Sequence, residues 1–160
     1  MTSIATDTDQ IQVWIYRSII KLTQDQEDEI ARMAGAFIHQ WAAHGNKLAA
    51  DFDILHNHYL IFFVDKSVAE ATGCSIDASV GFIKEIEAKF QLGLLDRMQI
   101  GFLKGEEVKF HAYNDLKTLF DSGEIKGDDP VFNAMLTNKK EFDDGFLLPF
   151  SESAYFSTLR

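Results

Sequence analysis

Cysteine, proline and basic side chains are all scarce in this chain, and each scarcity removes a class of protein. A single cysteine, Cys74, leaves no internal disulfide to form. Two prolines in 160 residues, with 46% apolar content, point to a globular chain rather than a disordered one. Lysine and arginine number 15 against 25 acidic residues, a net charge of −10. A surface this acidic repels phosphate backbones, so no nucleic-acid partner is expected, nor adhesion to an anionic membrane. Long apolar runs are missing too: the longest, Tyr59 to Val64, is far short of the roughly 20 residues that span a bilayer, which excludes membrane insertion. Met1 to Asp7 has neither a basic stretch nor an apolar one, so secretion is not expected and the assignment is cytoplasmic.

What is present is strong periodicity. Residues 1–10 are small and polar and read as a frayed end, and 11–160 read as a single domain. Ile11 to Arg17 alternates but is apolar on both sides, which predicts a central strand. From Gln24, with Thr23 as cap, Ile30, Met33, Ala34, Phe37, Ile38 and Trp41 make one helical stripe, stopped at His44-Gly45-Asn46. Leu48 to Leu55 reads as an edge strand, His56-Asn57 as a turn, and Tyr59 to Val64 as a second central strand. Gly73 to Phe90 is the clearest helix, with Ser75 or Asp77 as its cap. Met98 to Phe102 and Val108 to Phe110 form a hairpin around Lys104-Gly105-Glu106, and Asn114 caps a short helix ending near Gly123.

Strand, helix, strand, strand, helix, strand is the order of an α+β, ferredoxin-like βαββαβ sandwich, here with an additional C-terminal hairpin strand and a helical or irregular extension. Such a sheet has one face without helices. Trp14, Tyr16, Tyr59, Ile61 and Phe63 supply an aromatic surface that needs a cover. The cover is expected from Asp129 onward, where Pro130 opens a short helix and Phe146 to Phe150 and Tyr155-Phe156 supply anchors, or from a second subunit.

Chemistry-bearing residues are sparse. Cys74 lies at the start of a helix, where free N–H groups favour a thiolate, so it is the one candidate nucleophile or redox thiol. Asp77 opposes that thiolate, and a buried structural cysteine is the reading preferred. The same first turn, with Ser75 and Asp77, is the candidate anion-binding position. His56 and His58 share one side of an extended segment near Asp53, the donor set for a divalent transition metal, which a merely polar turn explains equally well. No Gly-x-Ser-x-Gly elbow accompanies Ser75 or Ser79, and Asp128, Asp129, Asp143 and Asp144 read as solvated loops.

Trp14-Ile15-Tyr16, Trp41 with His44-Gly45, and Gly73-Cys74-Ser75-Ile76-Asp77 followed by Ser79-Val80 and Phe82-Ile83 resemble a family of short bacterial proteins commonly labelled "ABC transporter ATPase". The resemblance spans most of residues 12–110. Its label implies nucleotide hydrolysis, which requires a glycine-rich loop ending in Gly-Lys-Ser or Gly-Lys-Thr. Here Lys66-Ser67 follows Asp65 and Lys117-Thr118 follows Leu116, so no catalytic residue carries over. The function expected is a binding or protein-interaction module without nucleotide hydrolysis or a cofactor, its partner a second copy or another protein, its binding residues drawn from Trp14, Tyr16, Tyr59, Ser75 and Asp77. The alternatives are a thiol enzyme or redox protein using Cys74, and a metal-binding protein using His56, His58 and Asp53.

Overall fold

The computed structural model describes residues 8–43, 46–67 and 72–159. After a 3-10 turn at Thr8–Gln10 come β1 (Ile11–Arg17), α1 (Gln24–Gln40), the two-residue strands β2 (Ala42–Ala43) and β3 (Asn46–Lys47), β4 (Ala49–Leu55), β5 (Tyr59–Asp65) and α2 (Gly73–Phe90). The second half contributes β6 (Gln99–Lys104), β7 (Glu107–Ala112), α3 (Leu116–Asp121), β8 (Pro130–Phe132), α4 (Lys139–Gly145), β9 (Leu147–Pro149) and α5 (Ala154–Ser157). Local chemistry accounts for the main boundaries. Thr23 and Gln26 close a reciprocal capping box on α1, and Thr72 and Ser75 close one on α2. His56 and Asn57 both have positive φ, 54° and 60°, the backbone that a tight β4–β5 hairpin requires.

The architecture is α+β, with two main antiparallel sheets ordered β1-β5-β4 and β7-β6-β8-β9. Alternation along β1 and β5 sends Trp14, Tyr16, Leu60, Phe62 and Val64 toward α1 and α2, where Phe37, Trp41 and Phe82 close an aromatic cluster. The indole Nε1 of Trp41 donates to the Ser75 carbonyl at 2.9 Å, joining the end of α1 to the start of α2. Val13, Ile15, Tyr59, Ile61 and Phe63 face the other way and meet Phe132, Phe146, Leu136 and Phe142, together with Leu103, Val108 and Phe110 of the second sheet. The Tyr59 hydroxyl lies over Gly101, where an added Cβ would overlap it. A third cluster, including Phe102, Leu116, Val131 and Phe150, fills the far side of the second sheet beneath α3 and α5.

Several expectations are corrected. The ferredoxin-like order holds through β1, α1, β4, β5 and α2, but the next strand, β6, pairs with β7 and β8 instead of lying beside β1. β1 is therefore an edge strand; among the described residues, only a bridge from Gln12 to Asn138 and a bond from Val13 N–H to Thr137 O run beside it. Its two-sided apolarity arises because it is covered above and below, not because strands flank it. Thr72 caps α2, while Ser75 supplies the reciprocal partner and Asp77 no cap. α1 ends at Gln40, and the stop at His44-Gly45 falls outside the described residues. Pro130 begins a strand rather than a helix, at a position where its missing N–H is tolerated. The aromatic face is split, with Trp14 and Tyr16 toward the helices and Tyr59 on the opposite side, and the chain's own residues 132–146 cover that opposite side. Among the described residues no helix is long and apolar enough to cross a membrane.

Candidate ligand-binding site

β1 carries Val13, Ile15 and Arg17 on its inter-sheet face, because residues two apart point the same way. The first two are ordinary core side chains. Arg17 is a cation in the same series, only 5% exposed, paired in register with Tyr59. Its Nε and Nη2 are buried and make no hydrogen bond. The nearest acid, Asp96, places Oδ1 3.8 Å from Nη2, an ion-pair distance too long for a hydrogen bond, and that same oxygen accepts the Met98 N–H at 2.8 Å. Burial pushes the guanidinium below its ordinary pKa; Asp96, Tyr59 and Tyr155 oppose the shift and Arg97 adds to it. Arginine nevertheless stays charged.

Arg17 lines a partly open cavity of about 320 Å³ between the end of β1 and elements of the second half. Its apolar wall includes Ile15, Ile100, Ala134 and Ala154, and the exposed side chains of Met98 and Met135 stand at its rim. Arg97, exposed, adds a second cation to the lining. Tyr155 is buried, and its hydroxyl oxygen accepts the Ala134 N–H at 3.2 Å, leaving the hydroxyl hydrogen free to donate. Thr158 donates to the Tyr155 carbonyl at 2.8 Å, so the 2.6 Å bond between the Tyr113 and Thr158 hydroxyls has Tyr113 as donor. The outward bond of the Val13 N–H implies, by the alternation of an antiparallel ladder, that the Ile15 N–H also points away from β5. A smaller hollow of about 190 Å³ along this edge shares Ile15, Arg97, Ala134 and Met135 and is lined by Trp14 and Tyr16.

The residues singled out by sequence fall in different places. Trp14 and Tyr16 reach the smaller hollow, and Tyr59 packs behind Arg17 against Phe132 and Phe146. Ser75 is buried and spends its hydroxyl on the capping box and on the Thr72 carbonyl at 2.9 Å, while Asp77 is exposed on α2. Cys74 is exposed at the second position of α2, which corrects the expectation of a buried cysteine, and it does not line the cavity. His58 is buried and donates from Nδ1 to the Ser18 carbonyl at 2.7 Å, and burial holds its pKa down despite that bond. The ring of His56 packs on Phe132, and Asp53 accepts its neighbour's N–H at the Ile54 backbone. Among the described residues no group of three or more histidine, cysteine or acidic side chains is placed to hold a metal ion, so His56, His58 and Asp53 are not gathered into one.

The sequence names Arg17 only as the last residue of the first strand and gives it no functional role. The available signal was a charge continuing, two residues beyond Ile15, the apolar series of Val13 and Ile15. Comparisons with protein-family models, curated proteins and solved structures return no match for this chain.

Proposed function

We propose that the protein is a small binding module that hydrolyses no nucleotide and takes an amphipathic small molecule in the cavity at Arg17. What supports this is one observation: a partly open, largely apolar hollow is lined by the buried Arg17 and the exposed Arg97. An apolar hollow with a few polar and charged groups in its lining is the usual form of a small-molecule site. The cavity lies at the small end of the roughly 300–1,000 Å³ typical of ligand pockets. Among the described residues its lining holds no histidine, cysteine, serine or carboxylate to serve as base or nucleophile, which favours binding over catalysis. The sheet face that motivated a second subunit is filled by Phe132 and Phe146, so this reading requires no dimer.

The test is a thermal-shift screen of the full chain against small amphipathic molecules, neutral and charged, followed by methyl NMR of Met98 and Met135. Binding to the native state raises the midpoint with ligand concentration, and the two rim methyls should shift for every true ligand. A screen without stabilising compounds, or one whose hits leave both methyls unmoved, rejects the cavity as the functional site.

A further inference from the structure

We propose that the occupant is a short extended peptide, added at the outer edge of β1 so that one of its residues exchanges main-chain hydrogen bonds with Ile15 and sends an apolar side chain into the 320 Å³ cavity. This rests on the binding-module reading above and adds the chemical class of the ligand. The outer edge of β1 is occupied on either side of Ile15 and open at it. The Val13 N–H is bonded to the Thr137 carbonyl and, past the end of the strand, the Ile19 N–H to the Leu92 carbonyl, each at 2.9 Å. The alternation that turns the Val13 N–H away from β5 turns the Ile15 N–H and C=O outward as well, and among the described residues neither has a partner on that side. Continued along β1, the pairing of Gln12 with Asn138 would set Met135 opposite Ile15. Instead the Met135 N–H is bonded to Asn133 Oδ1 at 3.0 Å and the Ala134 N–H to the Tyr155 oxygen, so the chain has turned away and left the place empty.

The space at that place has the form of a strand. The smaller hollow of about 190 Å³ touches four consecutive residues of β1, Val13 to Tyr16. Their side chains alternate between the two faces, so a hollow that meets all of them runs along the edge they share, and Ala134 to Thr137 form its other bank. The larger cavity joins it at Ile15 and opens on the inter-sheet face, among Ile100, Ala134 and Ala154. In an added strand, the residue opposite Ile15 points its side chain to the face of Ile15, into the larger cavity, and its neighbours point to the face of Trp14 and Tyr16, which line the smaller hollow. A donor and an acceptor on one residue, set between side chains of alternating direction, are a peptide's chemistry, and an alcohol or a hydrocarbon chain does not supply them. The occupied positions limit the length. With Thr137 bonded at Val13 and Arg17 only 5% exposed, the open edge takes about three residues, too few for a long strand or for β1 of a second copy. Size sets the side chain: 320 Å³ at about 30 Å³ per water corresponds to ~10 water-sized groups, room for a leucine or phenylalanine. The flexible thioethers of Met98 and Met135 suit a rim that closes on such a surface.

The experiment is isothermal titration of the full chain with four compounds: acetyl-Ala-Phe-Ala-amide, its ester analogue with phenyllactate in place of phenylalanine, acetyl-Ala-Asp-Ala-amide, and 3-phenylpropan-1-ol. Amide hydrogen exchange and the Met98 and Met135 methyl signals are followed in parallel. The phenylalanine peptide should bind about fivefold more tightly than the ester, which lacks only the N–H that meets the Ile15 carbonyl, and about tenfold more tightly than the aspartate peptide. It should shift both methyls and slow exchange of the Ile15 amide, leaving the Trp14 and Tyr16 amides, which face β5, as they were. Ala154 is exposed, so Ala154→Phe leaves the core intact while filling the cavity, and it should abolish peptide binding. An ester that binds as tightly as the amide, or an Ile15 amide whose exchange does not slow, would overturn the main-chain pairing. Equal binding of the aspartate peptide, or binding that survives Ala154→Phe, would overturn the placement of an apolar side chain in the cavity. Phenylpropanol binding with both methyls shifting, where no peptide binds, would leave the module reading standing and overturn this inference. No binding by any compound would overturn both. Should Ala154→Phe fail to fold, exchange at Ile15 in the unaltered chain decides.

Discussion

Arg17 is built into a strand face where its two neighbours in the series, Val13 and Ile15, are apolar, and its burial leaves Nε and Nη2 without partners. Leaving such donors unsatisfied costs about 1–3 kcal/mol, whereas an apolar side chain of similar length has nothing to satisfy. Arg17→Met is therefore expected to raise the stability of the ligand-free protein by about 1 kcal/mol, read as a higher urea midpoint at unchanged slope. A comparable loss would instead show that the 3.8 Å approach to Asp96 holds the fold together. The residue illustrates which parts of a site a sequence carries. Residue type and strand alternation put Arg17 on the face of Val13 and Ile15, so its inward position was legible. That its donors lack partners was not, because Asp96, Tyr155 and Ala134 come from distant stretches of chain. Cys74, His56 and His58 drew attention because their chemistry shows in the letters alone.

Helix α2 shows the same division at the level of the element. Its span from Gly73 to Phe90 follows from its apolar period, and Ile83 and Ile86 are fully buried. Its cap was misassigned by a few positions: Thr72 and Ser75 satisfy each other across the first turn, and Asp77 remains exposed. Thr72→Ala should cost about 1 kcal/mol in thermal or chemical unfolding, and Asp77→Ala should leave the midpoint nearly unchanged. Equal effects would return the cap to Asp77. β1 offers the converse lesson. A strand apolar on both sides reads as one lying mid-sheet, but alternation reports what covers the two faces and says nothing of the two edges. β8 and β9 were illegible for a simpler reason, since three residues each are too few to show a period.

Across the molecule, layers from the two halves of the chain share one seam. Tyr59 and Ile61 from the first sheet meet Phe132 and Phe146 from the second half, all nearly or fully buried. Both tryptophans, Trp14 and Trp41, sit on the other side of the first sheet, 5.4 Å apart and against the helices. Phe132→Ala should cost about 3–5 kcal/mol, and tryptophan fluorescence, despite lying a layer away, should report the whole loss in one transition. A fluorescence midpoint that ignores the substitution would mean that the two halves unfold separately. The composition and period of the first half made an α+β sandwich legible, and the apolar surplus after Asp129 announced its cover. The β6–β7 hairpin of the second sheet was legible as well, but its joining to β8 was hidden, because that contact pairs Phe102 with Val131 alone across a long stretch of chain.

The same seam has a mechanical side at the cavity. One wall is the end of β1, and the others come from residues 97–100, Tyr113, 134–135 and the C-terminal α5 region. Whatever fills that space grips both halves at once, as a pin holds two plates. Breathing between the plates must expel it first, so occupancy and rigidity rise and fall together.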